Sequence, residues 1–257
     1  MAVHDRFARL TPYELALPDL EGARERFSHL AAGADPGELA DPGRFLLSPG
    51  AARLLEELHG EAPPHLLAER GLLLFHAFHF WVAGERVYLL EAPLVRRLVE
   101  GSGLPPWTCE PAWPAGYLQL PQHLVWTEPG EGGAPESVDG LFWSAPRGTG
   151  DISLLVVAGM HPGRGGFSVL PLLPVPLAEG SDWPGMEVRE AGGDFSSSLP
   201  GSELEGLHQV RTAGEVLKLA ARAFAWLDTH PGREVRGEEG AGPPAPSVLP
   251  YRRIELD

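Results

Sequence analysis

Lysine and cysteine are almost absent from this 257-residue sequence. Of its 20 basic residues only Lys218 is a lysine, and Cys109 is the only cysteine. The shortage of lysine reflects either a GC-rich coding bias or selection for bidentate arginine ion pairs. A single cysteine excludes an intrachain disulfide and is compatible with a reducing cytosol. A nucleophilic Cys109 would need a neighbouring base, and the sequence places none beside it.

Long hydrophobic runs are also lacking. No segment approaches the ~18 apolar residues that a membrane-spanning helix needs, and ISLLVVAGM at 152–160 has only the length of a strand. The first ten residues, MAVHDRFARL, contain no apolar core of a secretory signal. We therefore expect a soluble, cytoplasmic protein that does not enter a membrane.

Positive charge is scarce. The chain has 35 acidic residues and a formal net charge of −15. Direct nucleic-acid binding is disfavoured, because phosphate contacts need a basic face. The same negative charge would steer a basic partner towards the protein, or compete for a nucleic-acid site.

Familiar catalytic motifs are missing as well. The sequence contains no G-x-S-x-G nucleophile elbow, no Walker A loop, no H-E-x-x-H and no paired C-x-x-C. It also shows no internal repeat. A catalytic site could therefore form only from residues that converge in three dimensions. We expect no cofactor and no metal site.

The first 70 residues have helical patterns separated by breaks. TPYE at 11–14 matches a capping box, with Thr11 as N-cap and Pro12 at the first helical position. Asp19 can begin a helix with the apolar positions Leu20, Ala23, Phe27, Leu30 and Ala31. GADPGELADPG at 33–43 is typical of turns, and Ser48-Pro49 opens a further helix.

The pattern changes to strands after residue 70. Residues 71–82 are apolar at odd and even positions and end at Ala83-Gly84, so we predict a buried strand that forms a hairpin with RVYLLE at 86–91. A short helix, APLVRRLVEG, follows. Further strands are predicted at 117–120, 123–128, 138–144, 152–159 and 167–175. Their short connections favour antiparallel pairing.

The last third begins with a long loop and then has a clear helix. Thr212 and Glu215 form a second capping box, and an apolar stripe runs to Leu227. Residues 237–257 read as a flexible linker and tail, in which VLPYRRIEL is either a final strand or a docked tail. We predict an α+β fold: a central, mostly antiparallel sheet at about 71–175, covered by N-terminal helices and a helix at about 212–230.

One domain is predicted over residues 1–236. It would consist of a helical part (1–70), the sheet (71–175), and a loop with a helix (176–236). No linker separates two self-sufficient cores in the middle of the chain.

His76 and His79 lie inside the most apolar stretch of the chain. On a strand their side chains would point to opposite faces, so they would not share a metal ion. Two core or edge histidines with one hydrogen-bonded nitrogen each is the simpler interpretation. The alternatives are a single functional histidine and, if the stretch were a helix with both imidazoles on one side, a shared metal site. Asp139-Gly140 is typical of a turn, and a catalytic Asp139 is the less favoured interpretation.

Two irregular segments are candidates for recognition. PPWTCEPAWP at 105–114 places Trp107 and Trp113 where neither helix nor strand can form, so these rings either plug the core or form a binding surface. GMHPGRGG at 159–166 reads as a hairpin loop. Its Arg164 would otherwise be an exposed anchor for an anionic group or a partner's carboxylate.

The sequence therefore favours a non-enzymatic binding or regulatory module that acts through a protein partner, with Trp107, Trp113 and Arg164 as contact candidates. The first alternative is a hydrolase-like enzyme whose site would be drawn from five residues: His76, His79, His123, Asp139 and His161. Such an enzyme should bring several of them into one pocket. The second alternative is a structural subunit of a larger assembly, which would expose a wide apolar patch.

Overall fold

A computed structural model describes most of the chain. The described residues are 9–59, 64–100, 113–127, 134–146, 150–160, 166–176, 196–197, 208–210, 213–230, 234–236, 247, 249 and 251–254. Helices dominate the first 82 residues, and strands dominate the residues that follow.

Five helices precede residue 60: α1 Pro12–Ala16, α2 Leu20–Gly33, α3 Pro36–Ala40, α4 Pro42–Leu47 and α5 Pro49–His59. The predicted capping box is confirmed, because the Thr11 side chain accepts from the backbone of Glu14 and the Glu14 side chain accepts from the backbone of Thr11. Asp19 caps α2 as predicted. The turn predicted at 33–43 is wrong in part: Asp35 and Asp41 each cap a short helix that begins with proline.

The strand predicted at 71–82 is wrong. This stretch is the second part of a 19-residue helix, α6 Pro64–Val82, so the predicted hairpin with residues 86–91 is wrong as well. The side chains of this stretch are buried on most sides between Leu73 and Phe80, and such a helix has apolar residues at odd and even positions just as a two-sided strand does. The Phe78 ring packs at 5.8 Å from both Phe27 and Phe45.

The described residues form ten strands, and seven of these make up the main sheet. In chain order the strands are β1 Val87–Leu90, β2 Ala115–Gln119, β3 Val125–Thr127, β4 Val138–Ser144, β5 Asp151–Ala158, β6 Ser168–Pro176, β7 Ser196–Ser197, β8 His208–Val210, β9 Glu234–Arg236 and β10 Tyr251–Ile254. The seven-stranded order is β6-β5-β4-β2-β1-β10-β9, and β3-β8-β7 form a small second sheet.

The sheet is mixed, with more antiparallel than parallel neighbours. Strands β2, β4, β5 and β6 follow one another antiparallel, and β9 pairs antiparallel with β10. Strand β1 is parallel to both β2 and β10. The connection from β1 to β2 contains helix α7 Ala92–Glu100, because parallel neighbours need a crossover. The α+β class is confirmed, although the sheet starts at Val87 and includes strands beyond residue 175.

Alternate side chains of the strands enter two separate cores. Leu154 and Val156 of β5 lie in the cluster that contains α7 and the helix α8 Ala213–Thr229. Leu155 and Val157 lie in the cluster that contains α2 and α6. This alternation is the period of a strand that is buried on both faces. It explains why the sheet carries helices on each side.

The last part of the described chain contains a helix and a final strand. The helix predicted at 212–230 is confirmed by α8, whereas Thr212 of its predicted capping box and most of the long loop at 176–204 lie outside the described residues. Of the two alternatives for residues 248–256, the structure has a strand at Tyr251–Ile254. In the described part of the chain, no helix combines the length and apolar character needed to cross a bilayer.

Candidate functional site

His76 and His79 lie three residues apart on α6, and not on the two faces of a strand as predicted. Each makes a contact of its own. His76 Nδ1 lies 3.0 Å from the Ser144 hydroxyl on β4. His79 Nε2 lies 2.8 Å from the carbonyl oxygen of Leu39, which can only accept, so Nε2 carries the proton. These contacts tie α6 to the sheet on one side and to α3 on the other.

Burial keeps both imidazoles uncharged. Loss of hydration lowers the pKa of His76 to about 3, and the neighbouring His79 acts in the same direction. Burial lowers the pKa of His79 to about 4, although its hydrogen bond to Leu39 acts in the opposite direction. A general base works best when its pKa lies near the working pH. Both side chains are therefore poorly suited to proton transfer at pH 7.

Asp139 is buried inside β4, so the strand predicted at 138–144 is confirmed and the turn predicted at Asp139-Gly140 is wrong. Its carboxylate accepts a hydrogen bond from Arg9 Nη2 at 2.9 Å and another from the Tyr117 hydroxyl at 2.8 Å. Burial, together with the charge and hydrogen bond of Asp139, raises the pKa of Tyr117 well above its usual value. The same Arg9 nitrogen donates to the carbonyl oxygen of Leu120 at 2.7 Å. These contacts hold the segment before α1 against the sheet.

His123 lies apart from these buried groups. Its side chain is exposed and stacks on Trp126, with ring centroids 5.7 Å apart. Its backbone has a φ of 61° and donates to the Ser137 hydroxyl at 2.9 Å. Among the described residues, no hydrogen bond or ion pair joins His123, Asp139 and the two helical histidines. His161 lies outside the described residues.

The part of the chain that the structure describes contains no cluster of three or more histidine, cysteine, aspartate or glutamate side chains that could hold a metal ion. Cys109 lies outside that part.

Trp113 is the one predicted recognition residue that falls within the described part of the chain, since Trp107 and Arg164 lie outside it. Its ring is half-buried against the core that contains α7 and α8. The guanidinium carbon of Arg86 lies 3.7 Å from the centroid of this ring. The carbonyl oxygen of Trp113 accepts a hydrogen bond from Trp143 Nε1 at 3.0 Å. The Trp113 backbone is therefore fixed by a hydrogen bond, and the Arg86 guanidinium group stacks on the Trp113 ring.

Nothing in the local sequence marks Arg86 as the partner of Trp113. Arg86 directly precedes β1, and Trp113 lies just before β2. These strands are parallel neighbours, so both residues come to the same edge of the sheet. Only the pairing of β1 with β2, which is set by the crossover through α7, brings the two side chains together.

A second cation–aromatic cluster lies where α7 meets α8. Arg97 of α7 is 5.2 Å from the Trp226 ring of α8, and His230 stacks on the same ring at 3.8 Å. The spacing of Trp226 and His230, four residues apart at the end of a helix, is a signal that the sequence does offer.

Comparison with known proteins found no matching family model, no similar curated protein and no similar solved structure.

Proposed function

We propose that this protein is a binding module that acts through a protein partner and does not turn over a substrate. The observation that carries the proposal is the Arg86–Trp113 stack, with 3.7 Å between the guanidinium carbon and the ring centroid. Tryptophan and arginine, together with tyrosine, are enriched at the energetic centres of protein interfaces.

The stack is suited to binding because it is arranged in advance. The Trp113 backbone is held by the Trp143 ring nitrogen, and Arg86 Nε donates to the carbonyl oxygen of Ala83 at 3.2 Å. When a partner covers the stack, the two side chains would lose little conformational entropy. Loss of side-chain entropy is one of the free-energy costs of association.

The placement of the alternative enzyme residues supports a role without turnover. His76 and Asp139 are buried, His79 is half-buried, and each makes a contact that holds helices or the N-terminal segment in place. Large exposed apolar side chains of the described residues, Leu47, Val82 and Leu170, belong to three different elements. In the described part of the chain, these three side chains are too few to form the wide apolar face that a structural subunit would need.

The net charge of −15 sets the character of the expected partner. A basic partner would be attracted at long range, and added salt should slow association more than it speeds dissociation. The aromatic anchor would then provide the short-range part of the affinity.

The test compares four forms of the protein in pull-downs from the native host, followed by binding kinetics with any purified partner. They are the wild type, Arg86→Ala, Trp113→Ala, and the control Arg44→Ala, which removes an exposed arginine on α4. We expect the two stack variants to lose at least about 2 kcal/mol of binding free energy. The control should bind like the wild type, and circular dichroism should show all four folded.

A partner held equally well by all four forms would show that the stack is not the binding surface. Trp107→Ala and Arg164→Ala then test the two other predicted contacts. A turnover of a small molecule that depends on a histidine would favour the enzyme alternative instead.

A further inference from the structure

We propose that a cleft between α2 and α5 binds a carboxylate that carries a small apolar group. The cleft has a volume of about 370 Å³. It shares no residue with the Arg86–Trp113 stack and does not depend on the function proposed above.

The α2 wall is formed by one face of the helix. Arg26, His29 and Leu30 all line the cleft, and positions separated by three and four residues lie on the same side of a helix. Arg26 is partly exposed and His29 is exposed, whereas Leu30 is buried. This wall therefore offers nitrogen donors near the opening and an apolar surface at the base.

The α5 wall repeats the same arrangement. Gly50, Arg53, Leu54 and Glu57 line the cleft with the spacing of one helical face. Leu54 is buried and extends the apolar base. A Cβ atom at Gly50 would lie 2.6 Å from Leu30 Cδ1, so the glycine lets the first turn of α5 approach α2 closely. That turn carries the positive end of the helix dipole.

The charges of the cleft favour a single negative charge on the ligand. Arg53 Nε lies 3.1 Å from Glu57 Oε1, and Arg26 Nε lies 3.8 Å from Glu57 Oε2. Among the residues that line the cleft, one carboxylate is thus shared by two guanidinium groups, so the lining carries more positive than negative charge. Asp19 does not line the cleft, but its carboxylate lies near Arg26 Nη1 and offsets part of this charge.

The shape and chemistry of the donors narrow the ligand class further. A guanidinium group presents paired N–H donors that match the two oxygens of a carboxylate. The buried leucines at the base would cover a short aliphatic group. A volume of about 370 Å³ lies at the small end of ligand pockets, so the apolar part must be short. A carboxylic acid of this kind is either a small free acid or the C-terminal residue of a peptide.

The test is an NMR titration of the full chain with four probes. N-acetyl-leucine and hexanoate represent the peptide and the free acid, N-acetyl-leucinamide lacks the charge, and inorganic phosphate lacks the apolar group. We expect both acids to cause saturable shifts of the Leu30 and Leu54 methyl signals and of the Arg26 and Arg53 Nε–H signals. The tighter of the two acids identifies the source of the ligand.

Three variants give effects of opposite sign. Arg26→Gln should weaken binding of the acids roughly five-fold, the size expected for one partly screened charge pair. Glu57→Gln should strengthen it by a similar factor, because it releases both arginines. Arg44→Gln removes an exposed arginine outside the cleft and should change nothing.

Several results would overturn the proposal. These are tighter binding of phosphate than of either acid, equal binding of N-acetyl-leucinamide, and shifts that Arg26→Gln leaves unaltered. Weaker binding of the acids by Glu57→Gln would overturn it as well, since a folded variant with two released arginines should hold an anion better. Circular dichroism of each variant ensures that the comparison is made between folded proteins.

Discussion

At the scale of single residues, buried polar side chains are held by partners far away in the chain. Arg9 contacts Asp139 across 130 positions, and His76 contacts Ser144 across 68. A buried ion pair adds little net stability, yet removing one partner leaves a charge uncompensated and is strongly destabilising. These contacts therefore specify how the N-terminal helices sit on the sheet.

The buried His76 and the half-buried His79 predict a pH dependence of stability. In the folded protein their pKa values are lowered from 6.5 to about 3 and about 4. Between those values and about 6.5 the unfolded chain takes up protons that the folded chain does not. The free energy of unfolding should therefore fall as the pH drops below about 6.5. One pH unit is worth roughly 1.4 kcal/mol for each fully shifted group, so the loss between pH 7.5 and pH 5.5 should be about 2–3 kcal/mol.

Urea unfolding at the two pH values measures this loss. His76→Asn and His79→Gln should each reduce the difference between the two pH values, whatever they do to stability at pH 7.5. His123→Asn is the control, because that side chain is exposed and asparagine tolerates its positive φ. Equal pH differences in the wild type and in both variants would show that the pKa values of His76 and His79 are not lowered by the folded structure.

The sequence could not reveal these partners. Asp139-Gly140 has the composition of a turn, and what permits a carboxylate inside β4 is Arg9, which lies before the first helix. The interpretation of His76 as a core residue needed only the apolar surroundings. The contact of His76 with Ser144 results from the packing of α6 against the sheet, and no local sequence pattern predicts that packing.

At the scale of elements, close approach between β2 and β4 depends on glycine. A Cβ atom at Gly140 would overlap the carbonyl oxygen of Leu118 on the neighbouring strand and lie 2.6 Å from the Tyr117 hydroxyl. Backbone atoms of a central strand pair cannot move aside. We expect Gly140→Ala to lower the free energy of unfolding by about 3 kcal/mol or more, because it forces overpacking and separates the strands.

Gly33→Ala is the matched control. Gly33 ends α2, and nothing lies within 4 Å of a Cβ placed there. This substitution should leave stability unchanged or raise it by up to about 1 kcal/mol, since alanine loses less backbone freedom on folding. Chemical unfolding compares the two variants. A loss at Gly140→Ala no larger than at Gly33→Ala would contradict the described pairing of β2 with β4.

Helix ends were easier to predict than the type of the most apolar segment. The caps at Thr11 and Asp19 are local, and the short-range rules suffice for them. For α6 the periodicity was ambiguous, because its side chains between Leu73 and Phe80 are mostly buried, as those of a two-sided strand would be. Asp35-Pro36 and Asp41-Pro42 are N-cap signals as well as turn signals. The length of α6 and the N-caps at Asp35 and Asp41 would have identified these segments as helices.

At the scale of the whole molecule, the sheet is completed by β10. This strand lies between β1 and β9 and pairs with both. The segment before it is attached too, since the Ser247 hydroxyl donates to the Glu14 carboxylate at 2.9–3.0 Å and Leu249 is buried. Neither the position nor the direction of β10 has a local signal, because pairing of distant strands is decided by the fold as a whole.

Removing residues 247–257 should therefore prevent folding. The truncated chain would leave one edge of β1 without a neighbour and separate β9 from the sheet. We expect loss of a cooperative thermal transition and elution as aggregates in size-exclusion chromatography. Removing only residues 255–257 keeps β10 and should leave the transition near that of the wild type. A cooperative transition in the longer truncation would show that β10 is dispensable.

The position of β10 also has a consequence for the order of events during synthesis. A ribosome adds this strand after the other described strands, more than 150 residues later than its neighbour β1. Until then the apolar edge of Val87–Leu90 has no partner on that side, and exposed strand edges pair readily with other chains. Such distant pairing also slows folding. The nascent chain should consequently depend on chaperones, and slower translation of its last third would lengthen the time at risk.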